Sequence, residues 1–383
     1  MAEFEWARLR RWPDAEAGNL FASDAADRLI ADTATAVLDG MTRDEAVVVG
    51  DSYGALTLWV AGVVPEGGVA RVHQDAVVAA RALDANAERL GLSGAYRSCA
   101  LDAELVRGAR VVLLRLPKSL DALDEIAGVI AAHADPAVTV FAGGMQKHLT
   151  VAMNDVLARH FERVDVGLAR QKARVLTVTG PKAAAAASAT AAESWPRRQF
   201  HPDIAPGVWV CAHGGAFAGT RIDIGTRFLL SHLDEAGPDA RVAVDLACGT
   251  GVLATTLALR RPGVRVIATD QSAVAVASAR ATAEANGVTD HIEVRREDAG
   301  DGIPDACADL VLLNPPFHNG SALDLRVGRM LVAAASRMLA PGGELWTVYN
   351  SHLDYKPVLR DRVGPTRQVD RNAKFTITVS TRR

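Results

Sequence analysis

Three scarcities in this chain of 383 residues each remove a class of protein. Only four cysteines occur, Cys99, Cys211, Cys248 and Cys307, widely spaced and without a CxxC pair. That is too sparse for a disulfide scaffold, and reduced thiols are expected. The ten histidines form no HxxxH or HExxH pattern, so no metal site is expected. No run of 18 uncharged apolar residues suggests a membrane-spanning helix. The opening MAEFEWARLRRWPD also lacks the apolar core of a secretory signal, which implies a cytoplasmic protein. A large excess of either charge is missing too. A net charge of −3 and a pI near 6.4 exclude a uniformly basic surface but leave room for a local basic face. Division after Ser194 leaves 22 Lys+Arg against 20 Asp+Glu in the second part (22 − 20 = +2) and 20 against 25 in the first (20 − 25 = −5). The asymmetry is slight and points to the second part for contact with a polyanion.

The length exceeds what one hydrophobic core usually serves, so two domains are expected. The boundary is legible in PKAAAAASATAAESWP, residues 181 to 196, where side chains are too small to anchor in a core. Residues 183–194 read as an Ala-rich linker between domains at 1–182 and 195–383. After the linker, strand and helix signals alternate: RVAVDL, GVLATTLALR, VRVIATD, SAVAVASARATAEANG, HIEVRRED, DLVLLN, a helix around 325 to 340, and GELWTVY. Such alternation predicts an α/β fold, a parallel sheet covered on both faces. KFTITVS at 374 to 380 alternates polar and apolar residues and reads as a final, antiparallel strand.

The first part repeats the pattern. AVVVGDSYGALTL resembles AVDLACGTGVLATTL, AVVAARALDANAERLG resembles AVAVASARATAEANG, and VVLLRLPKS resembles LVLLNPPFH. Placing Gly54 on Gly251, Gly91 on Gly287 and Pro117 on Pro316 gives offsets of 197, 196 and 199. Near-constant offsets over three segments point to an internal duplication.

Chemistry concentrates in the second copy. VDLACGTG puts Asp245 at a strand end, followed by Gly249 and Gly251 around a turn into a helix. Glycine lets a ligand approach the backbone, and the helix start offers unpaired N–H groups. Asp270, at the end of the next strand, is placed to accept hydrogen bonds from a ribose diol, or to cap the helix that follows. Asp298, after the third strand, can reach an adenine edge or serve as a simple loop acid. In LVLLNPPFHNG a buried strand ends abruptly in Asn314, Pro315, Pro316 and Phe317. An amide oxygen and a proline carbonyl can accept the two N–H bonds of a conjugated amine, freeing its lone pair for attack, while the aromatic ring stacks on the base.

Taken together, DLACGTG, the acid at the next strand end and NPPF resemble a class I S-adenosylmethionine-dependent methyltransferase. NPPF is similar to the signature of enzymes that methylate planar amino or amide nitrogens. GAFAGTRIDIGTRFLLSHL, residues 215 to 233, NPPFHNG and AKFTITVS further resemble the ribosomal RNA small subunit methyltransferase C and large subunit methyltransferase G families. That resemblance implies two tandem class I methyltransferase-like domains with mostly parallel seven-stranded sheets flanked by helices. It also implies a degenerate N-terminal copy and S-adenosylmethionine as cofactor, bound by Asp245, Ala247, Gly249, Gly251, Asp270, Asp298 and Asn314. It implies methylation of guanine N2 in ribosomal RNA, with Asn314, Pro315, Pro316 and Phe317 catalytic and Asp223, Gly225 and Thr226 bordering the cofactor, a helix N-cap region being the alternative for these three. The partner is then ribosomal RNA or a ribosomal subunit assembly particle, and the chain is expected to be a monomer.

In the first copy Asp245 becomes Val48, Gly249 becomes Ser52, Asp270 becomes Gln74, and NPPF becomes Arg115, Leu116, Pro117 and Lys118. Most of the contacts directed at a cofactor are lost. Arg115 and Lys118 are instead candidates for RNA phosphate, as are Arg197, Arg198, Arg326 and Arg329 in the second copy. Three alternatives remain open on sequence grounds: a protein glutamine N-methyltransferase, a small-molecule N-methyltransferase and a non-enzymatic RNA-binding assembly factor.

Overall fold

Each buried strand is a short apolar run whose residues alternate between two cores, as a sheet covered on both faces requires. In the computed structural model, which describes residues 4–65, 67–182, 195–315, 322–353 and 355–383, the chain divides into two compact units, Met1–Ser194 and Trp195–Arg383.

The first unit holds strands β1 (Ala46–Val49), β2 (Ala70–His73), β3 (Tyr96–Ser98), β4 (Val111–Arg115), β5 (Thr139–Met145), β6 (Phe161–Val166) and β7 (Ala173–Pro181). Their order across the sheet is β3-β2-β1-β4-β5-β7-β6. The second unit opens with a hairpin of β8 (Arg197–His201) and β9 (Val208–Ala212). It continues with β10 (Val242–Leu246), β11 (Arg265–Asp270), β12 (Ile292–Arg296), β13 (Ala308–Leu313), β14 (Leu339–Asn350), β15 (Thr366–Arg371) and β16 (Phe375–Thr381). The order is again three strands outward, a return to the centre and an antiparallel pair at the far edge: β12-β11-β10-β13-β14-β16-β15.

Corresponding glycines perform the same task in both units. Gly54 and Gly251 each precede a helix, Ala55–Val63 and Val252–Arg260, at φ +83° and +73°. A Cβ on Gly54 would sit 3.1 Å from the Leu83 Cα, and one on Gly251 would sit 3.0 Å from the Ala279 Cα. Close approach of two helices and a left-handed backbone both demand glycine there.

The core of the second sheet sorts by parity. Ala243, Leu310 and Leu312 enter one cluster, while Val244, Leu246, Val311 and Leu313 enter the other. The final strand Phe375–Thr381 is antiparallel to both neighbours, as its alternating pattern predicts. The hairpin is an addition that sequence periodicity did not reveal. Its strand β9 docks on the helix Ala273–Ala285 through a ladder of side chains four residues apart. Ser278 Oγ accepts from His213 N (3.0 Å), Thr282 Oγ1 from Cys211 N (3.0 Å) and Asn286 Oδ1 from Trp209 N (2.9 Å). Polar residues at i, i+4 and i+8, the last of them the helix C-cap, thus replace a missing strand partner.

Candidate active site

Strands β10, β11, β12 and β13 run parallel and in register, Leu246 opposite both Thr269 and Leu313, and Asp270 opposite Arg296. Their carboxyl ends therefore share one edge. The chain proceeds from β10 outward to β12, then returns to the other side of β10 as β13, so a topological switch point lies between β10 and β13. Ligands of open α/β sheets bind in the crevice such a reversal creates. Asp245, Asp270, Asp298 and Asn314 all lie along this edge.

Asp245 faces inward. It is 1% exposed, and its Oδ2 accepts from Ala254 N at 3.0 Å, tying the strand end to the first turn of the following helix. Burial pushes its carboxyl up to about 7; the charge of Asp270 adds to this and the Ala254 amide opposes it. Unfolded, the same carboxyl titrates near 3.8. Between these values the folded chain holds a proton that the unfolded chain has released, so stability falls as pH rises from about 4 to about 7. Replacing Asp245 by Asn removes that titration. The variant is expected to gain on the wild type by on the order of 2 kcal/mol between pH 5 and pH 8, read from paired thermal or urea melts. A constant difference across that range would mean the carboxylate is not desolvated.

Gly249 lies over open space. Its φ is +53°, nothing stands within 4 Å of where a Cβ would project, and its N–H donates to Asp270 Oδ2 at 3.0 Å. Ala247 adopts φ +61° in the same loop. Asp270 Oδ1 also accepts from Ser272 N at 3.0 Å, so the half-buried carboxylate is held by backbone on two sides. Cys248 sits among these acids. Burial, reinforced by Asp245 and Asp270, pushes its thiol well up, which keeps it protonated and a poor nucleophile. Asp298 is half-buried in the turn after β12, next to Glu297, whose N–H donates to the Asp270 carbonyl at 3.0 Å.

Asn314 follows directly on β13, beside the buried Pro315. Its Nδ2 donates to Asp223 Oδ2 (3.2 Å) and to Thr226 Oγ1 (2.9 Å) at the start of the helix Ile224–Leu230. Asp223 Oδ2 also caps that helix, accepting from Gly225 N (2.9 Å) and Thr226 N (3.3 Å). The segment 223–226 thus packs against Asn314, a contact that motif spacing did not disclose. Pro316 and Phe317 lie outside the described residues.

In the first unit the corresponding edge is occupied by its own side chains. Asp51, fully buried, accepts from Gly54 N (3.1 Å), Ala55 N (3.0 Å) and Thr57 N (2.9 Å) and so saturates its helix start. Gln74 Nε2 donates to the Asp51 carbonyl at 2.6 Å. Arg115, a candidate for RNA phosphate, is paired within the unit. Its guanidinium is 23% exposed and donates to Asp24 Oδ1 (2.7 Å), Asp24 Oδ2 (3.0 Å) and Asp27 Oδ1 (3.0 Å). A cation held by two carboxylates has little left to offer a polyanion. Lys118, Arg198, Arg326 and Arg329 are exposed, and Arg197 is half-buried.

The hairpin region sets the candidate cations Arg197 and Arg198 against aromatic rings that motif spacing did not disclose. Arg198 lies 5.4 Å from the centre of the Trp209 ring, Arg197 lies 4.1 Å from that of Trp195, and Phe200 packs on Trp209 at 5.2 Å. Phe200 and Trp209 remain 45% and 36% exposed. A cavity of about 400 Å³ bordered by Arg337, Arg362, Arg382 and Arg383 belongs to the opposite end of the sheet, at the start of β14. Among the described residues no group of His, Cys, Asp and Glu is placed to hold a metal ion, and no helix is long and apolar enough to cross a membrane.

The fold and the strand-end constellation define a class I methyltransferase. Residues 207–379 match the methyltransferase small domain family, and residues 1–182 match the RLMG N-terminal domain. The fold is shared with a solved 16S rRNA N2 methyltransferase of T. thermophilus in complex with AdoMet and guanosine. That likeness has a TM-score of 0.73 and 22% identity, covering 94% of this chain and 92% of that one. Over nearly its whole length the chain is also similar to curated proteins called ribosomal RNA large subunit methyltransferase G. The relative from Streptomyces coelicolor is 35% identical, covering 96% of both chains, and that from Pseudomonas putida is 34% identical, again covering 96% of both. The chain belongs to the ribosomal RNA large subunit methyltransferase G family.

Proposed function

We propose that the second unit methylates the exocyclic N2 amine of a guanine in ribosomal RNA. The observation that carries this reading is Asn314, an amide at the carboxyl end of β13 beside the crevice, followed by Pro315. A ring-conjugated amine is a weak nucleophile because its lone pair is delocalised. Asn314 Oδ1 and the Pro315 carbonyl accept its two N–H bonds, so the lone pair turns out of the ring plane and toward the donor. When bound, S-adenosylmethionine supplies an electrophilic methyl group. No general base is required before attack, since the amine becomes acidic only as the new N–C bond forms.

The loop fits such a cofactor. Gly249 leaves the space in front of the loop open, and Asp270 stands at the strand end where a ribose diol is bound in this architecture. Asp298 is positioned for the base beyond it. Ala247 and Gly251 shape the loop backbone, while Asp245 supports it from behind.

The names of the relatives favour RNA over a protein glutamine or a small molecule as the acceptor. RNA contacts are assigned to Arg326 and Arg329, three residues apart and exposed on the helix Ala322–Met338, and to Lys118. Reversing Arg326 and Arg329 to Glu is expected to weaken RNA binding by roughly tenfold at physiological salt and to reduce its salt dependence, with cofactor affinity unchanged. Unchanged RNA affinity in a filter-binding titration would remove both residues from the interface.

The function itself is tested by transferring labelled methyl groups to small-subunit RNA, large-subunit RNA and total protein. Label recovered as N2-methylguanosine in one RNA is the expected result. Label in protein, or in neither RNA, overturns the proposal.

A further inference from the structure

We infer that Asp223 and Thr226 are positioning residues which lock the Asn314 amide with Nδ2 inward, so that Oδ1 is the atom presented to the substrate. This rests on the proposed function in one respect only, that the substrate offers an N–H group at Asn314.

An asparagine amide can donate from one end and accept from the other, and the two ends have nearly the same shape. Only the acceptor end can bind the hydrogens of a nucleophilic amine. An amide turned the other way would donate to the amine and engage the lone pair that must attack. The orientation therefore decides whether the side chain assists or opposes methyl transfer.

The surroundings of Asn314 leave one orientation. Asp223 Oδ2 and Thr226 Oγ1 lie 3.2 and 2.9 Å from the inward atom. A carboxylate only accepts, so that atom is the NH2 group, and its two hydrogens meet two acceptors. Asp223 cannot swing aside without releasing the Gly225 and Thr226 amides that it caps. A half-turn of the amide would set Oδ1 against the carboxylate, replacing the bond to Asp223 by a direct repulsion; the Thr226 hydroxyl can donate as well as accept, so Asp223 sets the orientation and Thr226 holds it. Gly225 gives the arrangement its room: a Cβ there would press on Asn314 Oδ1 at 3.3 Å and on Asp223 Oδ2 at 3.1 Å.

The first unit carries the same device at a constant offset, with a telling change. Asp24 corresponds to Asp223, Asp27 to Thr226 and Arg115 to Asn314 (223 − 24 = 226 − 27 = 314 − 115 = 199). There too a helix-capping acid and the residue three positions on receive hydrogen bonds from the side chain at the strand end. The clamp, acceptors on the helix facing a donor on the strand, is common to both units. What differs is the remainder. Clamped arginine has only donors, whereas clamped asparagine keeps one acceptor that the clamp does not use. The second unit alone presents an acceptor at this place.

The test separates orientation from mere attachment of helix to strand. Thr226→Val keeps the shape and the helix cap and deletes one acceptor; Thr226→Ser restores it. Thr226→Val is expected to lower the single-turnover methyl-transfer rate at least about tenfold, with cofactor affinity and RNA KM changed less than about twofold, and Thr226→Ser is expected to recover most of the loss. The side-chain NH2 resonances of Asn314, assigned by their disappearance in Asn314→Ala, are expected to shift in the valine variant. A wild-type rate in Thr226→Val, or a loss that serine does not rescue, overturns the inference. Wild-type protein that labels no RNA defeats the proposed function instead. In that case the resonances still decide the orientation, since Asn314 NH2 signals unmoved by Thr226→Val refute the clamp.

Discussion

Asn314→Ala is expected to lower the single-turnover rate of methyl transfer by about 10²–10³-fold, while affinity for S-adenosylmethionine falls by no more than about tenfold. Alanine removes Oδ1, the acceptor that draws one N–H of the amine and helps rotate its lone pair toward the methyl group. It leaves the Pro315 carbonyl, so a fraction of the activation survives. The cofactor loop stands on different supports: Gly249 N on Asp270, and Ala254 N on Asp245. Binding and chemistry therefore separate. Quenched-flow transfer of labelled methyl groups gives the rate, and equilibrium titration gives the affinity. A variant that loses binding and rate in equal measure would mean that Asn314 acts through the cofactor alone. A variant with an unchanged rate would remove the NPPF segment from the chemistry.

Arg115→Met is expected to destabilise the first unit by about 1–2 kcal/mol in urea melts, less than a fully buried pair because Asp24 is 43% exposed, and to leave cofactor binding untouched. Burial opposes the charge on Asp24, yet the Arg115 hydrogen bonds and charge, with two backbone amides, hold its carboxyl below the usual range. Asp27 is more deeply buried; burial raises its carboxyl, and Arg115 is the chief influence pulling it down. Removing the guanidinium leaves two acids facing each other at a helix start. Protonation of Asp27 and solvent around the partly exposed Asp24 limit the cost and keep it below that of a broken buried pair. A melt that is unchanged, with weaker RNA binding, would restore Arg115 to the RNA surface and overturn its role as a buried clamp.

Much of the second unit was legible before its structure because local chemistry announced it. RVAVDL, VRVIATD and DLVLLN are apolar runs too short for helices and bounded by turn residues, and each forms a parallel strand. ACGTG carries part of its conformation in its glycines, since Gly251 has a left-handed backbone and a neighbouring helix within van der Waals reach, whereas the left-handed Ala247 was not legible. The hairpin of β8 and β9 was not legible, because its anchor is a set of side chains on a distant helix. The clamp on Asn314 was invisible for a related reason: Asp223 and Asn314 are 91 residues apart, and each alone has an ordinary local explanation.

The sequence by itself determined the α/β class, the duplication and the presence of a strand ending in an amide followed by prolines. Those features depend on periodicity and local backbone preference, which act over a few residues. Only the tertiary structure decided which charged groups are available and which are spent. The partly buried Arg115 guanidinium is paired with two acids, and the Asp245 carboxylate accepts from the Ala254 amide of the following helix. Desolvation and pairing depend on what the rest of the chain packs around a charge, and no local spacing encodes that.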